Sequence, residues 1–180
     1  MSRRPAMAVL ATGPRGESSP NLINRHVPET GIRSTMHYEG SFEVAAAKEK
    51  VYDFVTDPQR VTTIFPDVQS VKVVDASNFT LKAKVGMSFI RGVMDVKLAL
   101  LECTRPTHTK LKARGTGLNS SVDLESSFTL EDTAGGGTRV TWAADAKISG
   151  MMASVGSRLI DSAADKYVKQ IIGSLEKKLA

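Results

Sequence analysis

The chain has 180 residues, 41% apolar and 24% charged, a globular balance that excludes collagen-like, fibrous and wholly disordered classes. No apolar run approaches the ~18–20 residues of a membrane-spanning helix, and the single cysteine, Cys103, excludes an internal disulfide framework or a cysteine-cluster metal site. The net charge of +5 is uneven, with five arginines against Glu17 and Glu29 in residues 1–35, and the rest lacks the basic stripe with aromatics that nucleic-acid binding requires.

Residues 1–35 hold Pro5, Pro14, Pro20 and Pro28 and no sustained periodicity. Such a composition buries too little apolar surface to offset chain entropy, so this segment is read as a disordered extension. One domain is expected over 36–180. His37 to Val44 alternates polar and apolar residues, the mark of a half-buried strand. Ala46 to Thr56 switches to helical spacing, with Val51, Phe54 and Val55 on one face. Asp57-Pro58 stops it, because the residue before proline avoids helical angles. A second short helix is expected over Gln59 to Ile64. Six strands follow, near 68–75, 78–85, 89–102, 108–117, 120–131 and 138–148, separated by turn-forming residues such as Leu118-Asn119 and Gly135-Gly136-Gly137. The last thirty residues are helical, with Met152, Gly156, Leu159, Ile160, Ala163, Tyr167, Ile171 and Leu175 on one face. Gly150 makes the turn into this helix. The fold class is therefore α+β: a seven-stranded antiparallel sheet curved around a long C-terminal helix, with two short helices after the first strand.

Charges mark the solvent face of each strand, for example Lys82 and Lys84, or Lys110, Lys112 and Arg114. The opposite face collects apolar side chains and contains no His, Asp, Glu, Lys or Arg. Its polar members are Tyr38, Thr109, Ser126 and the Trp142 indole, joined by Tyr167 on the helix. General acid–base catalysis needs a titratable group beside the substrate; no catalytic residue, metal ligand or cofactor site is read here, and enzymatic chemistry in the interior is disfavoured. The same face carries Ala83, Ala113, Gly115, Ala144 and Ala146, and the helix adds Ala163 and Ala164. Two readings follow from these small residues: close helix-on-sheet packing, or a cavity lined by apolar groups.

Several segments carry a family resemblance. They are Tyr38 to Phe42, Val51 to Pro58, Phe65-Pro66-Asp67-Val68, Gly136 to Trp142, and Gly156-Ser157-Arg158-Leu159-Ile160-Asp161. In this order they resemble the carbon monoxide dehydrogenase CoxG family of the START/polyketide-cyclase-like (SRPBCC) superfamily. The resemblance implies a helix-grip fold over nearly all of 36–180 and a cavity for a lipid- or quinone-like molecule. It also implies an accessory or membrane-recruitment role for a molybdenum-containing CO dehydrogenase. On this reading the protein is a cytoplasmic, non-enzymatic binder of a hydrophobic small molecule, with an oxidoreductase complex and a transient membrane surface as partners. The cavity lining is expected to include Phe65, Phe89, Met94, Leu98, Leu111, Phe128, Trp142, Met152, Leu159 and Tyr167. Phe65, Phe89 and Met152 are expected to gather at its opening. Two alternatives stand beside it: a cyclase- or hydratase-like enzyme using Tyr38 and Tyr167, and an assembly factor with a filled core. Arg158 and Asp161, three residues apart, are read as a surface ion pair.

Overall fold

The structure is a computed structural model that describes the backbone of residues 23–28, and residues 33–180 apart from Ser88. The seven expected strands are present, and an eighth precedes them. In chain order they are β1 (Ile23–Pro28), β2 (Arg33–Val44), β3 (Val68–Val73), β4 (Asn78–Met87), β5 (Ile90–Thr104), β6 (His108–Gly117), β7 (Ser120–Asp132) and β8 (Thr138–Gly150). Between β2 and β3 lie α1 (Lys48–Thr56), α2 (Pro58–Val61) and a 3₁₀ turn over Thr62–Ile64. A second 3₁₀ turn, Met151–Val155, leads into α3 (Ser157–Leu179). The disordered reading of residues 1–35 meets one observation: β1 pairs antiparallel with β2, Ile23 opposite Glu39 and Pro28 opposite Ser34. The remainder of that reading, over 1–22 and 29–32, lies outside the described residues.

The sheet runs β1-β2-β8-β7-β6-β5-β4-β3, antiparallel throughout. Strands β3 to β8 form a meander, and β2 pairs with the last strand, Val44 opposite Thr138 and Arg33 opposite Ser149. Asp57 ends α1 and caps α2: its Oδ1 accepts the Gln59 N–H at 2.8 Å, while Pro58 occupies the first helical position. Thr138, fully buried, donates its hydroxyl to the Ala46 carbonyl at 2.7 Å and ties the start of α1 to the start of β8.

Because side chains alternate, the registers sort the inner face into cross-strand rows. One row runs Gly40, Trp142, Phe128, Thr109. The next runs Tyr38, Ala144, Ser126, Leu111. A third runs Met36, Ala146, Leu124, Ala113, Leu98, Phe79. The outer face is laced by cross-strand ion pairs, including Lys82–Asp95 at 2.6 Å, Lys112–Glu125 at 3.1 Å and Arg114–Asp123 at 3.0 Å. Exposed pairs of this kind contribute little individually, but they record which face meets solvent. Asp123 and Glu125 therefore stand outside, and the register slip that would have placed carboxylates in the interior does not occur.

Helix α3 begins only at Ser157, because Gly156 has φ 91° and ψ 150°, a backbone conformation open essentially to glycine alone. Gly150, at φ 81° and ψ −149°, breaks β8 in the same way. No helix among the described residues is long and apolar enough to cross a membrane.

Candidate functional site

The middle rows of the inner face are shallow where the helix passes over them. Ala144 sits between Tyr38 and Ser126, and Ala146 between Met36 and Leu124. Ala163 and Ala164 of α3 face the same region. Small residues on both layers leave the space between helix and sheet unfilled, and a cavity of about 410 Å³ results. This lies within the ordinary range for small-molecule pockets. Of the two readings open in the sequence, the hollow one holds.

The cavity lies over β6, β7, β8 and β2 and extends toward the β4–β5 turn. Its wall includes Phe42, Phe65, Leu111, Phe128, Trp142, Met152 and Tyr167, and Val85, Gly86 and Met87 border it where β4 ends. Gly86 is exposed and Met87 half-buried, so the opening lies between this turn and the N-terminal part of α3.

Six of the ten expected lining residues stand in the wall: Phe65, Leu111, Phe128, Trp142, Met152 and Tyr167. Four do not. Met94 and Leu98 point inward but are packed shut at 3% and 5% exposure. Leu98 lies between Phe79 and Ala113, and the Met94 side chain lies close to Gly115 and Gly117, where no Cβ holds it off the sheet. Phe89 is 74% exposed at the tip of the β4–β5 hairpin, so Phe65 and Met152 flank the cavity without it. Leu159 is 42% exposed. The helix starts after Gly156, its inward stripe runs through Ile160, Ala164 and Ile171, and Leu159 falls about 100° to one side. Gly156 itself has open space where a Cβ would stand, so its role is conformational and not close approach to the sheet.

Wall residues absent from the expected lining are Val122, Leu124, Ala144, Ala146, Ala163 and Ala164. The alternation of β7 and the alanines facing one another across the layers were the available signals.

The polar groups of the wall are largely committed within the protein. The Tyr38 hydroxyl donates to Asp161 Oδ1 at 3.0 Å and lies 3.2 Å from Met36 Sδ. Burial, and then the carboxylate accepting its hydrogen bond, raise the Tyr38 phenol above its ordinary pKa. Asp161 is thus engaged with the sheet, and the expected ion pair with Arg158 is not formed. Ser126 donates to the Ala143 carbonyl at 2.9 Å, and Thr109 Oγ1 lies 3.6 Å from Cys103 Sγ. The Trp142 indole N–H is buried without a partner among the described residues. No Asp, Glu, His, Lys or Arg lines the cavity, and no metal-binding cluster occurs among the described residues. An uncharged phenol with a raised pKa is no general base near neutral pH. The arrangement can enclose a hydrocarbon surface; it contains no pair of groups able to move a proton.

The profile of the carbon monoxide dehydrogenase CoxG family matches residues 40–180. Among curated proteins there is no match. Solved structures share the fold. A conserved protein from Geobacillus kaustophilus is similar with TM-score 0.74 and 20% identity, over 79% of this chain and 94% of that one. A START superfamily protein from Mycobacterium smegmatis aligns with TM-score 0.61 and 13% identity, covering 79% and 96%. The ZhuI aromatase/cyclase from Streptomyces sp. R1128 aligns with TM-score 0.59 and 12% identity, covering 81% and 93%. At these identities the likeness is one of fold: a START-like, helix-grip architecture.

Proposed function

Because the chain belongs to the carbon monoxide dehydrogenase CoxG family, we propose that it is a non-enzymatic carrier of an apolar small molecule, lipid- or quinone-like, held between α3 and the sheet. The observation that carries this reading is the cavity itself: about 410 Å³, walled by apolar side chains, with the hydroxyls of Tyr38, Ser126 and Thr109 already partnered. A ligand that brought several buried polar groups would lose its hydrogen bonds to water and recover few, at a cost of about 1–3 kcal/mol each. A hydrocarbon ligand loses nothing comparable and gains from burial. This disfavours the cyclase-like alternative, whose substrates are rich in carbonyl oxygens. Family membership further supports a place for the carrier in the cytoplasm, as accessory to a molybdenum CO dehydrogenase-type oxidoreductase.

Native mass spectrometry of the purified protein, with organic extraction of whatever accompanies it, tests the carrier. A bound apolar molecule, or uptake of an added one with a change in Trp142 fluorescence, is the expected result. Protein that neither carries nor takes up any hydrophobic molecule would overturn the reading. The accessory role is tested separately by co-purification of a tagged chain with a molybdenum hydroxylase from its native cell.

A further inference from the structure

The end of the domain at which the cavity opens carries an unusual surface. In an antiparallel meander, alternate turns lie at the same end of the sheet. The β4–β5 turn, the β6–β7 turn, the end of β8 and the start of α3 therefore share one end. The Met151 N–H bonds the Asn119 carbonyl at 3.1 Å, which joins the β8 end to the β6–β7 turn.

Three apolar side chains at this end face outward: Phe89 at 74% exposure, Met151 and Leu159 at 42% each. Each is one or two residues from a cavity-wall residue, Met87, Met152 and Ile160 respectively. The apolar surface is therefore continuous from the outside of the rim to the inside of the cavity. Leu159 points toward the β4 side of α3, since Asp161, on the other flank of Ile160, reaches β2 through Tyr38. Exposed aromatic and aliphatic side chains gathered at one end of a domain mark a surface that meets something apolar.

The charges say what that is. Lys84, Arg91 and Arg158 are exposed beside these residues, and none takes part in an ion pair among the described residues. Asp67, next to Lys84, and Asp161, turned to Tyr38, are the acids of this end. The far end offers a control within the same molecule. It too exposes apolar side chains, Val74 and Leu101, but its Arg105 and Lys110 are paired with Asp53 and Glu102. Free cations around an apolar tip fit an anionic lipid surface, where the cations meet headgroups and the apolar tip enters the interface.

We infer that the cavity-mouth end, through Phe89, Met151 and Leu159 with Lys84, Arg91 and Arg158, docks the domain on an anionic lipid bilayer so that the opening faces the membrane. The inference rests on the carrier reading for its purpose, since it gives an apolar ligand a path that avoids water. Flotation of the full chain with phosphatidylcholine vesicles, with and without phosphatidylglycerol, tests it. Binding to the phosphatidylglycerol vesicles is expected, weakened by high salt. Phe89→Ser should weaken it by about tenfold, as loss of one buried aromatic side chain predicts. Arg91→Gln and Arg158→Gln should each weaken it by about fivefold. Absence of binding at low salt, equal binding to neutral vesicles, or binding untouched by all three substitutions would overturn the assignment. Uptake of cis-parinaric acid in solution, read by its fluorescence, keeps the two ideas apart. Phe89 lies outside the cavity wall, so Phe89→Ser should take up the probe like the wild type. A protein that floats with vesicles but never takes up the probe would overturn the carrier while leaving the docking face standing.

Discussion

Tyr38 links the two layers of the fold. Among the described residues, its hydrogen bond to Asp161 is the only side-chain hydrogen bond between α3 and the sheet. Tyr38→Phe keeps the apolar ring in the cavity wall and removes that tie. The expected loss is about 1–2 kcal/mol of stability, read as a lower Tm, because a half-buried carboxylate then turns to solvent. On the outer face His37 sits between two carboxylates, Nδ1 at 2.7 Å from Asp145 and Nε2 at 3.4 Å from Glu39. The Asp145 hydrogen bond chiefly, against some desolvation, and then Glu39 raise its pKa above 6.5. A raised folded pKa means the stabilisation is complete below the unfolded value and lost as pH climbs through the higher folded value. Stability should therefore decline over that window by less than about 1 kcal/mol, as befits a largely exposed pair. His37→Gln should flatten the decline, and NMR titration of the imidazole should place its midpoint above 6.5.

Among the elements, the two glycine breaks around Met151–Val155 make a paired experiment. Gly156→Ala places a Cβ in open space, so its cost is conformational only, about 1–3 kcal/mol by denaturant unfolding. Gly150→Ala adds a collision with the Asn119 carbonyl and should cost more. Equal costs would mean the Asn119 turn yields freely. These breaks also explain where the sequence is readable. The strands from β3 to β8 follow alternating charge, and their bounds fall within a few residues of those expected. Leu159 departs from its expected place because helical phase is set by where the helix starts, and Gly156 delays that start. β1 is short, ends on Pro28 and joins the sheet at its edge, where backbone pairing does not demand the two-residue apolar period. Met94 and Leu98 belong to the expected lining because alternation tells which face a side chain takes. It does not tell whether glycines and alanines nearby let that side chain lie flat and close.

At the scale of the molecule, the empty space between layers is the property that sets function. Its volume, about 410 Å³, corresponds to about 14 water-sized groups at ~30 Å³ each. A series of saturated fatty acids should therefore bind most tightly near that chain length, with affinity falling once the tail outgrows the cavity. Ala163→Phe should abolish uptake of the longest chains that bind the wild type, with little loss of stability, because it fills a void and does not overpack a core. Uptake unchanged by this substitution would move the ligand elsewhere. The sheet order has a consequence for how the chain is made. β2 emerges early from the ribosome, yet its partner β8 is among the last segments synthesised, about a hundred residues later. Until then Met36, Tyr38 and Phe42 have no neighbouring strand on that side and no helix above them. Pairings this distant in sequence form slowly, so β2 spends translation as an exposed apolar edge, and a ribosome stalled before β8 would release a chain prone to aggregate.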